Sequence, residues 1–72
     1  MEFVKITTDF ITLGQFLKYF GYVSNGSEAK IYLQIHKIYV NNDLETRRGR
    51  KIYPDFVVKI DKNTYLVVKN DN

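Results

Sequence analysis

The chain has 72 residues, no cysteine and a formal net charge of +3. This length suits one domain, residues 1–72, with a core expected from about residue 4 to residue 69. Without cysteine the chain has no disulfide, thiolate metal site or cysteine nucleophile. A small domain without disulfides is typical of the cytoplasm. No apolar run has the length of a signal peptide or a membrane span, so we expect no membrane partner.

The N-terminal part of the chain predicts a strand followed by a helix. Residues 2–8 alternate between apolar and polar, which is typical of a half-buried strand. Four apolar residues then recur at helical spacing and form one stripe: Leu13, Phe16, Leu17 and Phe20. Thr12 and Gln15 fit a capping box at the start of this helix, and Gly21 suits a left-handed cap at its end.

A second helix is expected to start near Ser24 or Asn25 and to run to about His36. Helical spacing gives it a polar face that holds Lys30, Gln34 and Lys37. Its apolar face is expected to centre on Tyr32, Ile35 and His36, flanked by Ala29, Ile31 and Leu33. Two short amphipathic helices joined by about four residues would form a helical hairpin.

From residue 38 onward a period of two returns, which predicts three or four antiparallel strands. Strands are expected at residues 38–41, 52–53, 56–60 and 64–69, with turns at Asn41-Asn42, Pro54-Asp55 and Asp61-Lys62-Asn63. A frayed tail, Asn70-Asp71-Asn72, should follow. The predicted fold class is therefore α+β, with an N-terminal strand, a helical hairpin and then a small antiparallel sheet.

The most informative segment is Arg47-Arg48-Gly49-Arg50-Lys51, which carries four positive charges and is called the basic cluster below. Residues 13–53 hold seven Lys or Arg and three Asp or Glu, whereas residues 1–12 balance to −1 and residues 54–72 to zero. Such local charge favours a polyanionic partner, and nucleic acid is the most economical one. Asp43 and Glu45 just before the cluster are expected to screen or orient the arginines.

Four segments together resemble the S4-type RNA-binding domain family, and most closely its small stand-alone bacterial proteins of the YaaA type. The segments are residues 6–18, Ala29-Lys30, Val40-Asn41 and residues 47–54. The resemblance implies an S4-like fold in which the helical hairpin and the adjoining strand form an RNA surface. It also implies binding to structured RNA, with ribosomal RNA as the expected partner and assembly of the large ribosomal subunit as the expected role.

The sequence departs from the family pattern at several positions. Many S4 domains open the first helix with Arg-Leu-Asp, where this chain has Thr12-Leu13-Gly14, and many place Ser-Arg before the second helix, where this chain has Asn25-Gly26. Because these polar or basic side chains are missing here, we expect the basic cluster to make most of the contacts to RNA. A family Pro-Gly-Asp turn also becomes Pro54-Asp55-Phe56, which leaves the shape of that corner open.

The candidate RNA-binding residues come from the basic cluster, the polar face of the second helix and one tyrosine: Arg47, Arg48, Arg50, Lys51, Lys30, Lys37, Gln34 and Tyr53. In the cluster, Arg would hold phosphates by bidentate forks and Lys as a point charge. Tyr53 follows the cluster directly and could stack on an unpaired base. Tyr19, Tyr22 and Tyr39 could have the same role, but most tyrosines of a small domain are half-buried core. Lys18 is a weaker candidate.

Other interpretations stay open at this point. The cluster could be a solvated patch, or the chain could be an adaptor that uses the cluster on an acidic protein surface, since Arg binds carboxylates as well as phosphates. DNA would be attracted by the same charges. An enzyme is disfavoured because His36 is the only histidine and no phosphate-binding glycine loop is present. We therefore predict no catalytic residue, metal, cofactor or small-molecule substrate, and the oligomeric state is not predicted.

Overall fold

The structure, a computed structural model, describes residues 1–70. In chain order its elements are β1 (Glu2–Ile6), β2 (Ile11–Thr12), α1 (Leu13–Tyr19), α2 (Gly26–Ile35), β3 (Ile38–Val40), β4 (Asp43–Glu45), β5 (Lys51–Ile52), β6 (Val57–Ile60) and β7 (Asn63–Lys69). Five strands form one sheet in the order β1-β7-β6-β3-β4, while β2 and β5 form a separate antiparallel pair. The predicted α+β class is confirmed.

The large sheet is mixed, because β1 lies parallel to β7 while the other neighbours are antiparallel. Alternation predicts β1, β3, β6 and β7 but misses β4, and it carries no information on which distant strand becomes the neighbour of β1. The β2–β5 pair was not predicted either. Apolar side chains of both helices and of one face of the sheet share a single core, in which Phe16, Ile38 and Val67 are fully buried.

The predicted ends of both helices are confirmed. In α1, the Gln15 amide donates to the Thr12 hydroxyl and the Thr12 amide donates to the Gln15 side chain, so the capping box is complete. Gly21 has a φ of 78°, the left-handed conformation expected after a helix. At the start of α2, Asn25 is the cap, and its side chain accepts a hydrogen bond from the Glu28 amide.

The predicted apolar face of α2 is wrong by a rotation about the helix axis. Ala29 and Leu33 are its buried residues, whereas Ile31 and Ile35 are 57% and 71% exposed. On this side α2 packs against α1, since a Cβ atom on Gly14 would lie at van der Waals distance, 3.9 Å, from the Cβ atom of Ala29. Because small residues lie where the two helices cross, this side of α2 faces the core, although larger apolar residues lie elsewhere on the helix.

Among the described residues 1–70, four non-glycine residues have positive φ, and all four lie in predicted turns: Asn41, Asn42, Asp55 and Asp61. At the Pro54-Asp55 corner, the Phe56 amide donates to the Tyr53 carbonyl over 3.1 Å, and φ of Asp55 is 76°. Proline followed by a residue with positive φ is the type II pattern, in which glycine is preferred at the second position. Asp55 thus adopts the glycine conformation.

The predicted fraying of the C-terminal tail is wrong for its first residue. The Asn70 amide donates a 2.8 Å hydrogen bond to the Ile6 carbonyl, which continues the pairing of β7 with β1. Asp71 and Asn72 lie outside the described residues. Among residues 1–70, no helix has the length and apolar character needed to cross a membrane.

The substitution Asp55→Gly should stabilise the protein. Glycine adopts positive φ without the steric cost that an L side chain carries, so we expect the free energy of unfolding in urea to rise by about 0.5 kcal/mol. Lys62→Gly is the matched control, because Lys62 lies in the β6–β7 turn without a positive φ. An equal gain in both variants, or a loss in Asp55→Gly, would contradict the assignment of strain to Asp55.

Candidate nucleic-acid interface

The basic cluster extends from the segment between β4 and β5 into the first residue of β5, Lys51. It is joined to the start of α1 through its backbone. The Leu13 amide donates to the Arg50 carbonyl and the Gly14 amide donates to the Arg48 carbonyl, each over 2.8 Å. The first amides of a helix have no acceptor within the helix. The cluster supplies two of the missing acceptors, so its backbone and the start of α1 form one unit.

The buried carboxylate of Glu45 holds two arginine side chains of the cluster in place. Glu45 is only 4% exposed and is the one buried charged residue among residues 1–70. Arg47 donates to it twice, from Nε over 2.9 Å and from Nη2 over 3.1 Å, and Arg50 donates from Nη1 over 2.9 Å. The backbone amides of Thr46 and Arg47 also donate to Oε2 of Glu45. The prediction that Glu45 orients the arginines is confirmed.

These contacts keep Glu45 ionised. The hydrogen bond from the Arg47 side chain is the main reason why the pKa of Glu45 falls from 4.5 to about 2, although burial by itself would raise that pKa. The carboxylate cancels one of the four positive charges of the cluster, so residues 45–51 still carry a net charge of +3. The Arg47 side chain remains 72% exposed, with N–H donors beyond the two bound to Glu45.

Two grooves open on either side of the cluster. The first, called the aromatic groove, has a volume of about 540 Å³ and is lined by Arg47, Gly49, Arg50, Lys51, Tyr53 and Phe56. The second, called the helix groove, has a volume of about 270 Å³ and is lined by Thr12, Gly14, Gln15, Lys18, Gly26, Arg48 and Gly49. Gly49 belongs to both, so the cluster forms the ridge between them.

Arg48 fills space left by two glycines in the helix groove. Its Nη1 atom donates a 2.8 Å hydrogen bond to the Gly26 carbonyl. A Cβ atom on Gly26 would lie 3.2 Å from that same Nη1 atom, and a Cβ atom on Gly14 would lie 3.3 Å from the Arg48 carbonyl oxygen. Gly14 and Gly26 are two of the positions at which this sequence departs from the S4 pattern. Their lack of side chains gives Arg48 its position between the helices.

The structure brings together some of the predicted site residues and leaves others apart. Arg47, Arg50, Lys51 and Tyr53 share the aromatic groove, whereas Arg48 lies in the helix groove. The other three predicted residues, Lys30, Gln34 and Lys37, are exposed, and these described side chains line neither groove. Helix geometry places Lys30 one turn and Gln34 two turns beyond Gly26 on α2, on the side of the helix that Arg48 contacts. Lys37 follows the end of the helix.

Sequence reasoning missed Phe10, Phe56 and Gln15 and gave Lys18 little weight. Lys51 Nζ lies 5.0 Å from the centroid of the Phe10 ring, and Phe56 and Gln15 each line a groove. Phe10 and Phe56 come from segments far from each other in sequence, and no spacing rule relates them. Lys18 could have been given more weight, since it lies one helical turn after Gly14.

Two other candidate side chains have structural roles. The Tyr22 and Tyr65 hydroxyls lie 2.6 Å apart, and Asn63 Nδ2 donates to the Tyr22 hydroxyl over 3.1 Å. Burial raises the pKa of Tyr65, so the Tyr65 hydroxyl remains protonated at neutral pH. His36 ends α2 and stacks on Tyr32 with ring centroids 4.1 Å apart. In the described range 1–70, no group of three or more His, Cys, Asp or Glu could hold a metal ion.

The chain is similar to a known protein family and to a known bacterial protein. The family described as the S4 domain matches residues 4–68, which include both helices and the whole basic cluster. A Bacillus subtilis (strain 168) protein named "Probable ribosome maturation protein RlbA" is 45% identical over 58 residues, which cover 81% of this chain and 82% of that protein. The similarity therefore covers most of both chains.

The low pKa of Glu45 predicts acid sensitivity. Because the pKa is lower in the folded than in the unfolded state, the stabilisation is complete above about pH 4.5 and is lost as the pH falls toward 2. We expect about 3 kcal/mol of the free energy of unfolding to disappear across this range, as measured by urea unfolding at several pH values.

The substitution Glu45→Gln should lower stability at pH 7 and flatten this dependence. Asp43→Asn is the matched control, since it removes the same charge from an exposed residue of the same strand and should keep the dependence. An unchanged pH dependence in Glu45→Gln would show that another carboxylate is responsible.

Proposed function

The chain is a member of the S4 domain family, and from this premise we propose that it is a non-catalytic RNA-binding protein that acts in ribosome maturation. The family membership supports RNA as the partner, and the name of the Bacillus subtilis relative supports a ribosome-related role. Within that role, we propose that the target is structured ribosomal RNA and that the protein acts in the cytoplasm during assembly of the large subunit.

The observation that carries the proposal is the fixed geometry of the basic cluster. Its backbone is hydrogen-bonded to α1, and Glu45 orients Arg47 and Arg50. Cations held in place before binding lose little conformational freedom when a phosphate arrives, so more of the interaction energy appears as affinity. A merely solvated patch would not need a buried carboxylate to order its arginines.

The arrangement suits recognition of the RNA backbone more than recognition of bases in a helix. The major groove of an RNA duplex is too narrow for side chains to read, so proteins bind such RNA through phosphates, 2′-hydroxyls and shape. Exposed N–H groups of Arg47 and the ammonium group of Lys51 lie on one side of the ridge, and Arg48 with Lys18 lies on the other. An RNA backbone that crosses the ridge would meet cations on both sides.

Structured RNA should bind with an affinity that depends strongly on salt. If about four cations contact phosphates, a plot of log affinity against log salt should have a slope of roughly −3 to −4. Fluorescence anisotropy of a labelled ribosomal RNA fragment at several salt concentrations measures this slope. Salt-insensitive binding would contradict the phosphate mechanism.

The double variant Arg48→Ala/Lys51→Ala should weaken binding about tenfold or more and reduce the slope by about two. Neither residue contacts Glu45, whereas removal of Arg47 or Arg50 would leave that buried carboxylate short of a partner and would confuse folding with binding. The matched control is Lys59→Ala/Lys62→Ala, which removes two exposed charges from β6 and the β6–β7 turn.

Two outcomes would contradict the proposal. If both double variants lose affinity equally, binding follows net charge and the cluster has no special role. If an acidic protein surface binds well and excess RNA does not displace it, the cluster serves a protein partner.

A further inference from the structure

We propose that the aromatic groove holds one unpaired base of the bound RNA, stacked on Tyr53, while the adjoining cations bind the phosphates on either side of that base. This inference rests on the proposed RNA-binding function and names the kind of RNA, a structured RNA with a base extruded beside a stem. Four features of the groove support it.

The first feature is the direction of the Tyr53 side chain. Ile52 is fully buried, and side chains alternate along an extended chain, so Lys51 and Tyr53 point to the same, outer side. Tyr53 is 41% exposed. An aromatic ring and a cation therefore lie next to each other on the surface, within the groove that also contains Arg47 and Arg50.

The second feature is that two further rings hold Tyr53 in place. Its ring centroid lies 5.5 Å from that of Phe10, at an angle of 48°, and 5.7 Å from that of Phe56, at an angle of 60°. Tilted contacts of this kind orient a ring, and Tyr53 remains 41% exposed beside these two rings. Tyr22 is different, because its hydroxyl is engaged by Tyr65 and Asn63 and its ring contacts Tyr32.

The third feature is the position of the charges. Lys51 Nζ lies 5.0 Å from the Phe10 centroid, and Arg50 Cζ lies 5.8 Å from the Phe56 centroid. The two cations therefore lie beside the two rings that flank Tyr53. A base stacked on Tyr53 would bring its neighbouring phosphates toward Lys51 on one side and toward Arg50 and Arg47 on the other.

The fourth feature is size. The volume of the groove, about 540 Å³, falls in the roughly 300–1,000 Å³ range of small-ligand sites. Paired bases are stacked inside a duplex and cannot enter such a groove, whereas bases in bulges and loops can be extruded and stacked on aromatic side chains. Since every base has a π-face, the groove would accept an unpaired base with little preference for its identity.

The test compares three RNA hairpins that share one stem: one with a single bulged nucleotide, one with an abasic residue at the bulge, and one fully paired. The ratio of affinities for the base-containing and abasic bulges isolates the base, because both RNAs have the same charge and the same stem. We expect the wild-type protein to prefer the base-containing bulge by about 5- to 100-fold. Tyr53→Phe should keep this preference, and Tyr53→Ala should reduce the ratio to about one.

A third variant, Tyr53→Leu, keeps an apolar side chain between Phe10 and Phe56 but removes the aromatic face. It should fold and should lose the preference, which separates stacking from packing if Tyr53→Ala is unstable. Free nucleoside monophosphates are the competitors that test for a mononucleotide site. The inference requires that they displace the bulged RNA only at far higher concentration than unlabelled bulged RNA does.

The outcomes separate this inference from the proposed function. Salt-dependent binding to all three hairpins with a ratio near one would overturn the base site and leave the RNA-binding function intact. No binding to any hairpin would overturn both. A base preference that persists in Tyr53→Leu and Tyr53→Ala would place the base elsewhere, and equal displacement by free nucleotide would assign the groove to a small molecule.

Discussion

The ion pairs of Glu45 are the constraint on which the proposed RNA-binding surface depends. A buried carboxylate is costly unless it is paired and hydrogen-bonded, so this fold requires Arg47 and Arg50 where they stand. Their positions fix the segment between β4 and β5, whose carbonyls in turn accept the first amides of α1. The contacts that stabilise the fold therefore also position the charges of the cluster. A variant of Arg47 or Arg50 will change stability first, and its effect on RNA binding can be interpreted only after stability has been measured.

Arg48 and Lys51 are the two cations of the cluster whose side chains are not bound to Glu45. Arg48 reaches between the helices, where Gly14 and Gly26 leave room for it. Many S4 domains carry charged side chains at those two glycine positions, so a residue from the loop here takes the place of residues from the helices. Lys51 instead lies beside Phe10, at the edge of the aromatic groove. The two residues extend one fixed cluster in opposite directions, and an RNA ligand would meet a broad basic surface.

The features predictable from the sequence are local ones. Thr12 and Gln15 form their capping box across three residues, and Asn41-Asn42 adopt the positive φ that their side chains tolerate. The charge of the basic cluster is equally visible in five consecutive residues. What the sequence could not supply depends on contacts between distant segments: the parallel pairing of β1 with β7, the rotation of α2 toward Ala29, and the meeting of Phe10 with Lys51 and Tyr53. Periodicity gives each element a face, but only packing decides which neighbour that face meets.

The most direct test of the central claim, that RNA lies across the cluster held by Glu45, is to map amide chemical shifts of the isotopically labelled protein during titration with a ribosomal RNA stem. We expect the largest changes around both grooves, at residues 12–18, at Gly26 and at residues 47–53. The β6–β7 turn at Asp61 and Lys62 lines neither groove, so its amide shifts should change little. Changes concentrated on that turn, or on the exposed sheet residues Phe3 and Leu44, would place the RNA on a different surface. Either result would contradict the claim that RNA lies across the cluster.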